Sequence, residues 1–269
     1  MTERTRASDS TPEEILARAI ASIGRADFVL RALDYLGSAM MYQGCLLTRL
    51  NGTRSPEHVY DDVRAERRAD VVDRYLDGAY LLDPFYVAYT EQQPCDALRL
   101  RDVAPDRFQH SSYYETYYSS IRLRDEAAIF IDLPSGQHLF YSVGRTEDSP
   151  RFSQRDMDRT RRILPVFAAI NRRHFAAGRP APEPVSDPAI AQQEIETAMA
   201  RFGAETLTDR ERQIAILILK GHSSKSIAQR IGVSPGTVKI HRRNFYRKLN
   251  ISAQSELFSM FLGSLTRRA

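Results

Sequence analysis

Residues 207–249 read LTDRERQIAILILKGHSSKSIAQRIGVSPGTVKIHRRNFYRKL. Their punctuation divides them into three helices. Thr208-Asp209-Arg210-Glu211 has the form of a capping box, in which the threonine hydroxyl accepts from the N3 amide and the glutamate reaches back. Ile214, Leu217 and Ile218 then supply an apolar stripe, and Gly221 is placed to stop the helix. A second helix over about Ser224–Ile231 offers Ile227, Ala228 and Ile231 on one face. Ala228 is small where a crossing helix must come close, and Gly232 follows in a position suited to a tight turn. Ser234-Pro235, as N-cap and N1, starts a third helix that runs through Leu249.

The third helix has two faces. At about 100° per residue, Val238, His241, Phe245 and Leu249 fall within roughly 80° of one another, whereas Gly236, Lys239, Ile240, Arg243 and Arg247 occupy a separate arc of roughly 100°. One face packs; the other presents cations around one apolar side chain. Helix, glycine turn and basic exposed helix form a helix-turn-helix, whose second helix enters the major groove.

Charge points the same way. The chain has 269 residues and a formal net charge of +4. From Ala204 onward 12 cations face four anions, a balance of +8, so the first 203 residues carry −4. A basic segment beside a mildly acidic body implies a polyanion partner. Charge alone fits a solvated basic surface equally well, and each single cation admits that reading. The order of residues decides between the two.

This run resembles the DNA-binding domain of LuxR-type (GerE-like) transcription factors. Leu207-Thr208, Arg210-Glu211, Gly221, Ser223, Lys225, Ile227-Ala228, Val233-Ser234, Thr237-Val238-Lys239, His241 and Lys248-Leu249 stand at that family's spacing, over about 60 residues. The resemblance implies an all-α four-helix domain over 204–269 that binds double-stranded DNA. It implies that Lys239, Ile240 and Arg243 face bases and phosphates, with Ile240 able to meet a thymine methyl. Thr237, Lys225 and Arg247 then touch the backbone and set register. A fourth helix, about Ser252–Leu265, carries Leu257, Phe258, Phe261, Leu262 and Leu265. This stripe is wide enough to close the small core and also to pair two protomers; a purely internal core is the other reading. Dimers of this family resemble two-fold readers of paired half-sites, so the operator is expected to be pseudo-palindromic. RNA polymerase is a further expected partner.

Upstream, Ala176–Pro188 reads AAGRPAPEPVSDP, with four prolines in 13 residues. It continues neither helix nor central strand, and reads as a linker. It separates a domain over 1–175 from a connecting helix over 189–203. In the N-terminal domain, helices are expected over Pro12–Ser22, Ala26–Met41, Ala69–Leu81, Pro84–Glu91, Asp106–Ser120 and Ser153–Arg173, the last with Pro165 as its point of kinking. Strands are expected over Cys45–Leu50, Glu57–Asp62, Ala97–Arg101, Glu126–Leu133 and His138–Gly144, with hairpins at Asn51-Gly52 and Pro134–Gln137. The fold class is α+β: an N-terminal α/β/α sandwich around an antiparallel sheet, of the autoinducer-binding, GAF or PAS kind, followed by the helix-turn-helix domain.

The chain has 13 tyrosines, 12 phenylalanines and no tryptophan. A pocket needs aromatic walls with a few polar handles, and a phenol supplies both. Tyr113, Tyr114, Tyr117 and Tyr118 fall on one expected helix, with each i,i+4 pair sharing a face. The lactone sensors of the LuxR family carry a tryptophan, a tyrosine and an Asp-Pro pair in their pocket. Asp83-Pro84 matches in place, with Tyr75 and Tyr80 before it, but the missing tryptophan implies a different small-molecule effector. Candidate ligand residues are therefore Tyr75, Asp83, Tyr86, Tyr113, Tyr117 and Phe130. The other reading of the tyrosine cluster is half core and half surface. Asp61-Asp62 and Asp125-Glu126 both read as solvated strand ends.

Other classes fall away. Cys45 and Cys95 lack metal-type spacing, so no metal, cofactor or disulfide scaffold is expected. The six histidines are scattered, and no nucleophile–base pair has usable spacing, so no enzyme activity is expected. No run is long and apolar enough for a bilayer, and the opening residues lack a signal core, so a cytoplasmic location is expected. The expected function is a dimeric, sequence-specific transcriptional regulator whose DNA binding a small molecule modulates. The alternative is a constitutive DNA-binding dimer whose N-terminal domain is an interaction module only.

Overall fold

The computed structural model describes residues 10–52, 54–92, 96–176, 202–219, 222–252, 256–257 and 260–261. The N-terminal part is a five-stranded antiparallel sheet, order β2-β1-β5-β4-β3, built from β1 (Gly44–Leu50), β2 (Glu57–Asp61), β3 (Ala97–Arg99), β4 (Asp125–Asp132) and β5 (His138–Arg145). Strand alternation sorts two cores. Ala127, Ile129 and Ile131 of β4, with Leu139, Tyr141 and Val143 of β5, face α1 (Pro12–Ala21), α2 (Phe28–Ala39) and the long α7 (Gln154–Ala176). Ala128, Phe130 and Phe140 point to the other side, toward Tyr75, Tyr80, Phe85, Tyr86 and Tyr117. The expected three-layer sandwich is thus present.

The local signals act as chemistry dictates. Thr11 and Glu14 close a capping box before Pro12. Pro165 lies inside α7 without ending it. On the α7 side the Tyr141 hydroxyl donates to Asn171 at 2.5 Å, which partners a fully buried amide. The Asn51-Gly52 hairpin is longer than a two-residue turn, and β1 and β2 shift register between Leu47 and Thr48.

The second helical layer departs from expectation. Ala69–Leu81 is not one helix. A π-helical turn (Ala69–Asp73), a single α turn α3 (Arg74–Leu76) and a 3-10 turn (Ala79–Leu82) succeed one another. Gly78, at φ 127, takes a backbone conformation that interrupts the helix. Pro84 then opens α4 (Pro84–Gln92). Leu100 and Arg101, expected in β3, instead begin α5 (Leu100–Val103). Asp106–Ser120 is also broken, into a 3-10 turn (Phe108–His110), α6 (Ser112–Thr116) and a second 3-10 turn (Tyr118–Ile121). Ser111 is the reason at one break: its hydroxyl accepts from the Tyr114 amide at 3.1 Å, an N-cap bond that restarts the helix.

The acidic strand ends are not solvated. Asp61 accepts from the Val63 amide at 3.1 Å and pairs with His58 and Arg68; Asp62 accepts from the Cys45 amide at 2.8 Å. Asp125 and Glu126 are both buried.

The C-terminal helices are α8 (Asp209–Leu219), α9 (Ser224–Ile231) and α10 (Pro235–Leu249). Residues 256, 257, 260 and 261 are helical too, with Leu257 and Phe261 buried. The linker from 177 to 188, the connecting helix up to residue 201, and Phe258, Leu262 and Leu265 lie outside the described residues.

Candidate functional sites

The helix-turn-helix is assembled by its caps. Thr208 and Glu211 exchange capping-box bonds, the Glu211 amide donating to the threonine hydroxyl at 3.3 Å and the Thr208 amide to the carboxylate at 2.9 Å. The same carboxylate accepts from Lys248 Nζ at 2.7 Å and ties the start of α8 to the end of α10. Burial raises the Glu211 carboxyl, but the Lys248 ammonium and the Thr208 donors outweigh it and hold it below the usual range. Arg210 donates to the Ile231 carbonyl at 2.6 Å and satisfies the last turn of α9. Gly232 follows at φ 68, and Ser234 accepts from the Thr237 amide at 3.1 Å to start α10.

These caps fix the phase of α10. Val238 and Phe245 are fully buried against α8 and α9. Lys239, Arg243 and Arg247 are exposed, and Ile240 is 53% exposed between them. Lys225 is exposed on α9. Thr237 is half-buried, its hydroxyl 2.9 Å from that of Ser234. The six residues expected to meet DNA therefore lie on α9 and α10, with an apolar side chain standing among cations.

The second site lies in the N-terminal domain. A cavity of about 350 Å³ lies between the sheet and the broken helical layer. Tyr75, Asp83, Tyr113 and Tyr117, four of the six candidate ligand residues, line it. Tyr86 and Phe130 do not. They are core: Phe130 stacks on Phe140 at 4.8 Å, and Tyr86 packs edge-on to Tyr80 at 4.9 Å. Leu46, Val71, Ile121 and Leu123 add apolar wall.

The polar groups of this cavity are concentrated. The Tyr75 hydroxyl donates to Asp83 at 2.7 Å, and the Phe85 amide donates to the other oxygen of Asp83 at 2.9 Å. The Tyr117 hydroxyl donates to the Val71 carbonyl at 2.7 Å. Glu126 reaches the cavity from β4 and accepts from the Ser142 hydroxyl, one strand over. Its cross-strand partner is Gly144, where the Leu123 side chain packs so closely that a Cβ would meet it at 2.7 Å. Burial pushes the Asp83 carboxyl up to about 6 despite the Tyr75 and Phe85 donors. Burial and the neighbouring Asp83 push Glu126 up to about 8, with Ser142 acting against them. Sequence reasoning missed Glu126. The available signal is strand parity: Glu126 shares a face of β4 with Ala128 and Phe130, which pack on the same side of the sheet as Tyr75, Tyr113 and Tyr117.

Comparison with known proteins divides along the same boundary. Residues 205–261 match the GerE model of bacterial regulatory proteins, luxR family. The C-terminal domain is a LuxR-type DNA-binding domain. A protein of Aeromonas salmonicida described as an HTH-type transcriptional regulator of the exeN 3′ region is 29% identical over 188 residues, covering 68% of this chain and 94% of that one. The monoamine regulon transcriptional regulator of Klebsiella aerogenes is 24% identical over 242 residues, covering 90% and 93%. The crystal structure of the VqsR LBD domain from Pseudomonas aeruginosa covers 62% of this chain and 98% of its own, with a TM-score of 0.54 and 21% identity. That likeness shows that the N-terminal sandwich shares the fold of that domain. Among the described residues no helix is long and apolar enough to cross a membrane, and no cluster of side chains could hold a metal.

Proposed function

We propose that the whole chain is a LuxR-type transcriptional regulator, a homodimer whose N-terminal cavity takes a small molecule, and that occupancy changes its affinity for a pseudo-palindromic operator. Lys239, Ile240 and Arg243 read the major groove; Lys225, Thr237 and Arg247 hold the phosphates. Tyr75, Asp83, Tyr113 and Tyr117 hold the effector, together with Glu126. The protein works in the cytoplasm, where RNA polymerase is its downstream partner. The observation that carries the effector part is the cavity itself. An interaction module would be expected to fill its core, whereas here apolar walls surround two buried carboxyls. The exposure of Met260 beside buried Leu257 and Phe261 supports pairing through the last helix. A ligand changes DNA binding only by favouring one conformation over another. A duplex selected from a random library by the full chain gives the operator. Footprinting and thermal-shift titration with a chemically diverse library should then identify molecules that raise the melting temperature and change operator occupancy together. A library that moves neither would leave the constitutive dimer standing.

A further inference from the structure

Buried carboxylates elsewhere in this protein have cations beside them. Glu211 meets Lys248 at 2.7 Å, Asp125 has Arg101 at 3.8 Å, and Asp61 pairs with Arg68. Asp83 and Glu126 break this pattern. Both are more than nine-tenths buried, both line the cavity, and among the described residues neither makes an ion pair. Their donors are neutral: Tyr75 and the Phe85 amide for Asp83, Ser142 for Glu126. The cavity's arginines, Arg64, Arg67 and Arg122, are exposed or half-buried, and Arg67 donates to the Ser120 carbonyl at 2.9 Å. A buried charge is stable when it is paired or neutralised. Burial and the neighbouring Asp83 together push the Glu126 carboxyl up to about 8.

The walls fit the same missing partner. The rings of Tyr113 and Tyr117 are 5.3 Å apart, and those of Tyr75 and Tyr117 are 5.9 Å apart. Aromatic faces attract cations, most strongly where water is excluded. Tyr113 is a buried residue lining the cavity, and among the described residues its hydroxyl has no hydrogen-bond partner, which leaves it for an occupant. An anion in this cavity would face two carboxyls. A neutral lactone would leave the pair without a counter-charge.

We propose that the cavity binds a small organic cation, an amine or amidine on an apolar body, with its charged head between Asp83 and Glu126 and against the tyrosine faces. The proposal rests on the reading of this cavity as the effector site and specifies the class of effector. The volume, about 350 Å³, sits near the small end of ligand pockets (roughly 300–1,000 Å³) and selects a compact molecule.

The test uses the full chain and matched probes of one shape: 2-phenylethylamine, 2-phenylethanol and 3-phenylpropanoate, with hexylamine, benzamidine and an acyl homoserine lactone. Calorimetry should show at least one amine or amidine binding ten-fold or more tighter than its neutral counterpart, with no binding of the carboxylate. Repeating the titration at pH 7 in buffers of different ionisation enthalpy should show protons released by the cation and not by the alcohol. Glu126→Gln should remove the ten-fold preference while a thermal melt shows the chain folded. The proton-release measurement needs no variant, so a poorly folding Glu126→Gln protein leaves the test intact. Binding of the alcohol or the lactone as tight as the amine, without proton release, overturns the cation assignment and keeps the effector site. Failure of every probe, together with a broad library that shifts neither stability nor operator occupancy, overturns both.

Discussion

Tyr75 and Asp83 are joined by a 2.7 Å hydrogen bond across the interrupted 69–82 segment, and the free oxygen of the same carboxylate takes the Phe85 amide at 2.9 Å. One side chain thus does two things: it caps the buried start of α4, and it fixes a cavity-lining phenol. Asp83→Ala removes both and strands a buried hydroxyl. Losing a cap costs about 1 kcal/mol and an unsatisfied buried polar group about 1–3 kcal/mol, so a loss of roughly 2–3 kcal/mol is expected in urea unfolding. Asp83→Asn keeps an acceptor for Tyr75 and should cost under about 1 kcal/mol. Equal losses for the two variants would show that the hydrogen bonds do not stabilise the segment.

The paired carboxyls also set a pH dependence. Their folded values, about 6 for Asp83 and about 8 for Glu126, lie above the ordinary values of 3.8 and 4.5. The folded chain therefore binds these protons more tightly than the unfolded one, and its stability falls as pH rises through this range. The contribution is intact below about pH 4 and is lost progressively between about pH 4 and 8. Melting temperatures at constant ionic strength should decline from pH 5 to pH 8.5. In Glu126→Gln the upper part of that decline, between about pH 6 and 8, should flatten. A rise in stability over that interval would place the net effect elsewhere.

Much of the architecture was readable because the signals were local. Ser234-Pro235, Thr208 with Glu211, and the strand alternation of Ala127–Ile131 each fix an element without help from distant residues. The failures have a common cause. Ala69–Leu81 and Asp106–Ser120 carry helical periodicity, but Gly78 and the Ser111 cap cut it, and the turns that result close one side of the cavity. Glu126 was misread because an acid at a strand end is usually solvated. Its burial depends on β4 lying in the interior of the sheet, between β3 and β5, and sequence order does not reveal that. The pairing of Tyr113 with Tyr117 survived the broken helix, since their rings still meet at 5.3 Å.

Glu211 holds the three-helix unit through opposite ends of its sequence. Its carboxylate serves the Thr208 amide and the Lys248 ammonium at once, and its residue is 3% exposed. Glu211→Ala strands both donors and should destabilise the C-terminal domain by about 1.5–3 kcal/mol. Lys248→Met, which keeps the apolar stem and leaves the capping box in place, should cost less. Chemical denaturation followed by the C-terminal signal separates the two, and a larger loss for Lys248→Met would contradict this ordering.

Gly232 is required for conformation, not for space. Its φ is 68, and a Cβ built there meets nothing within 4 Å. Gly232→Ala should therefore cost only the left-handed backbone penalty, about 1 kcal/mol, while Gly232→Asn should cost less. Denaturant midpoints would reveal a steric contribution if alanine lost much more than this.

The cations of α10 differ in what they should do to binding. Arg247 is exposed at the end of the helix, where the proposed role is contact with a phosphate. Replacing it with alanine should weaken binding to any duplex and lower the dependence of log affinity on log salt by about 0.9, the share of one released counterion. Lys239 and Arg243 flank the exposed Ile240 on the face that Val238 and Phe245 turn outward. Their joint replacement by alanine should cost the selected operator more than a random duplex, since each base-directed contact contributes about 1–3 kcal/mol of discrimination. Ile240→Ala should relax preference at one position of the operator while leaving the salt slope unchanged. Gel-shift titrations at several salt concentrations, on operator and random duplex in parallel, distinguish these outcomes. Retention of full operator preference by the Lys239 and Arg243 double variant would remove α10 from sequence reading and leave it a merely basic surface.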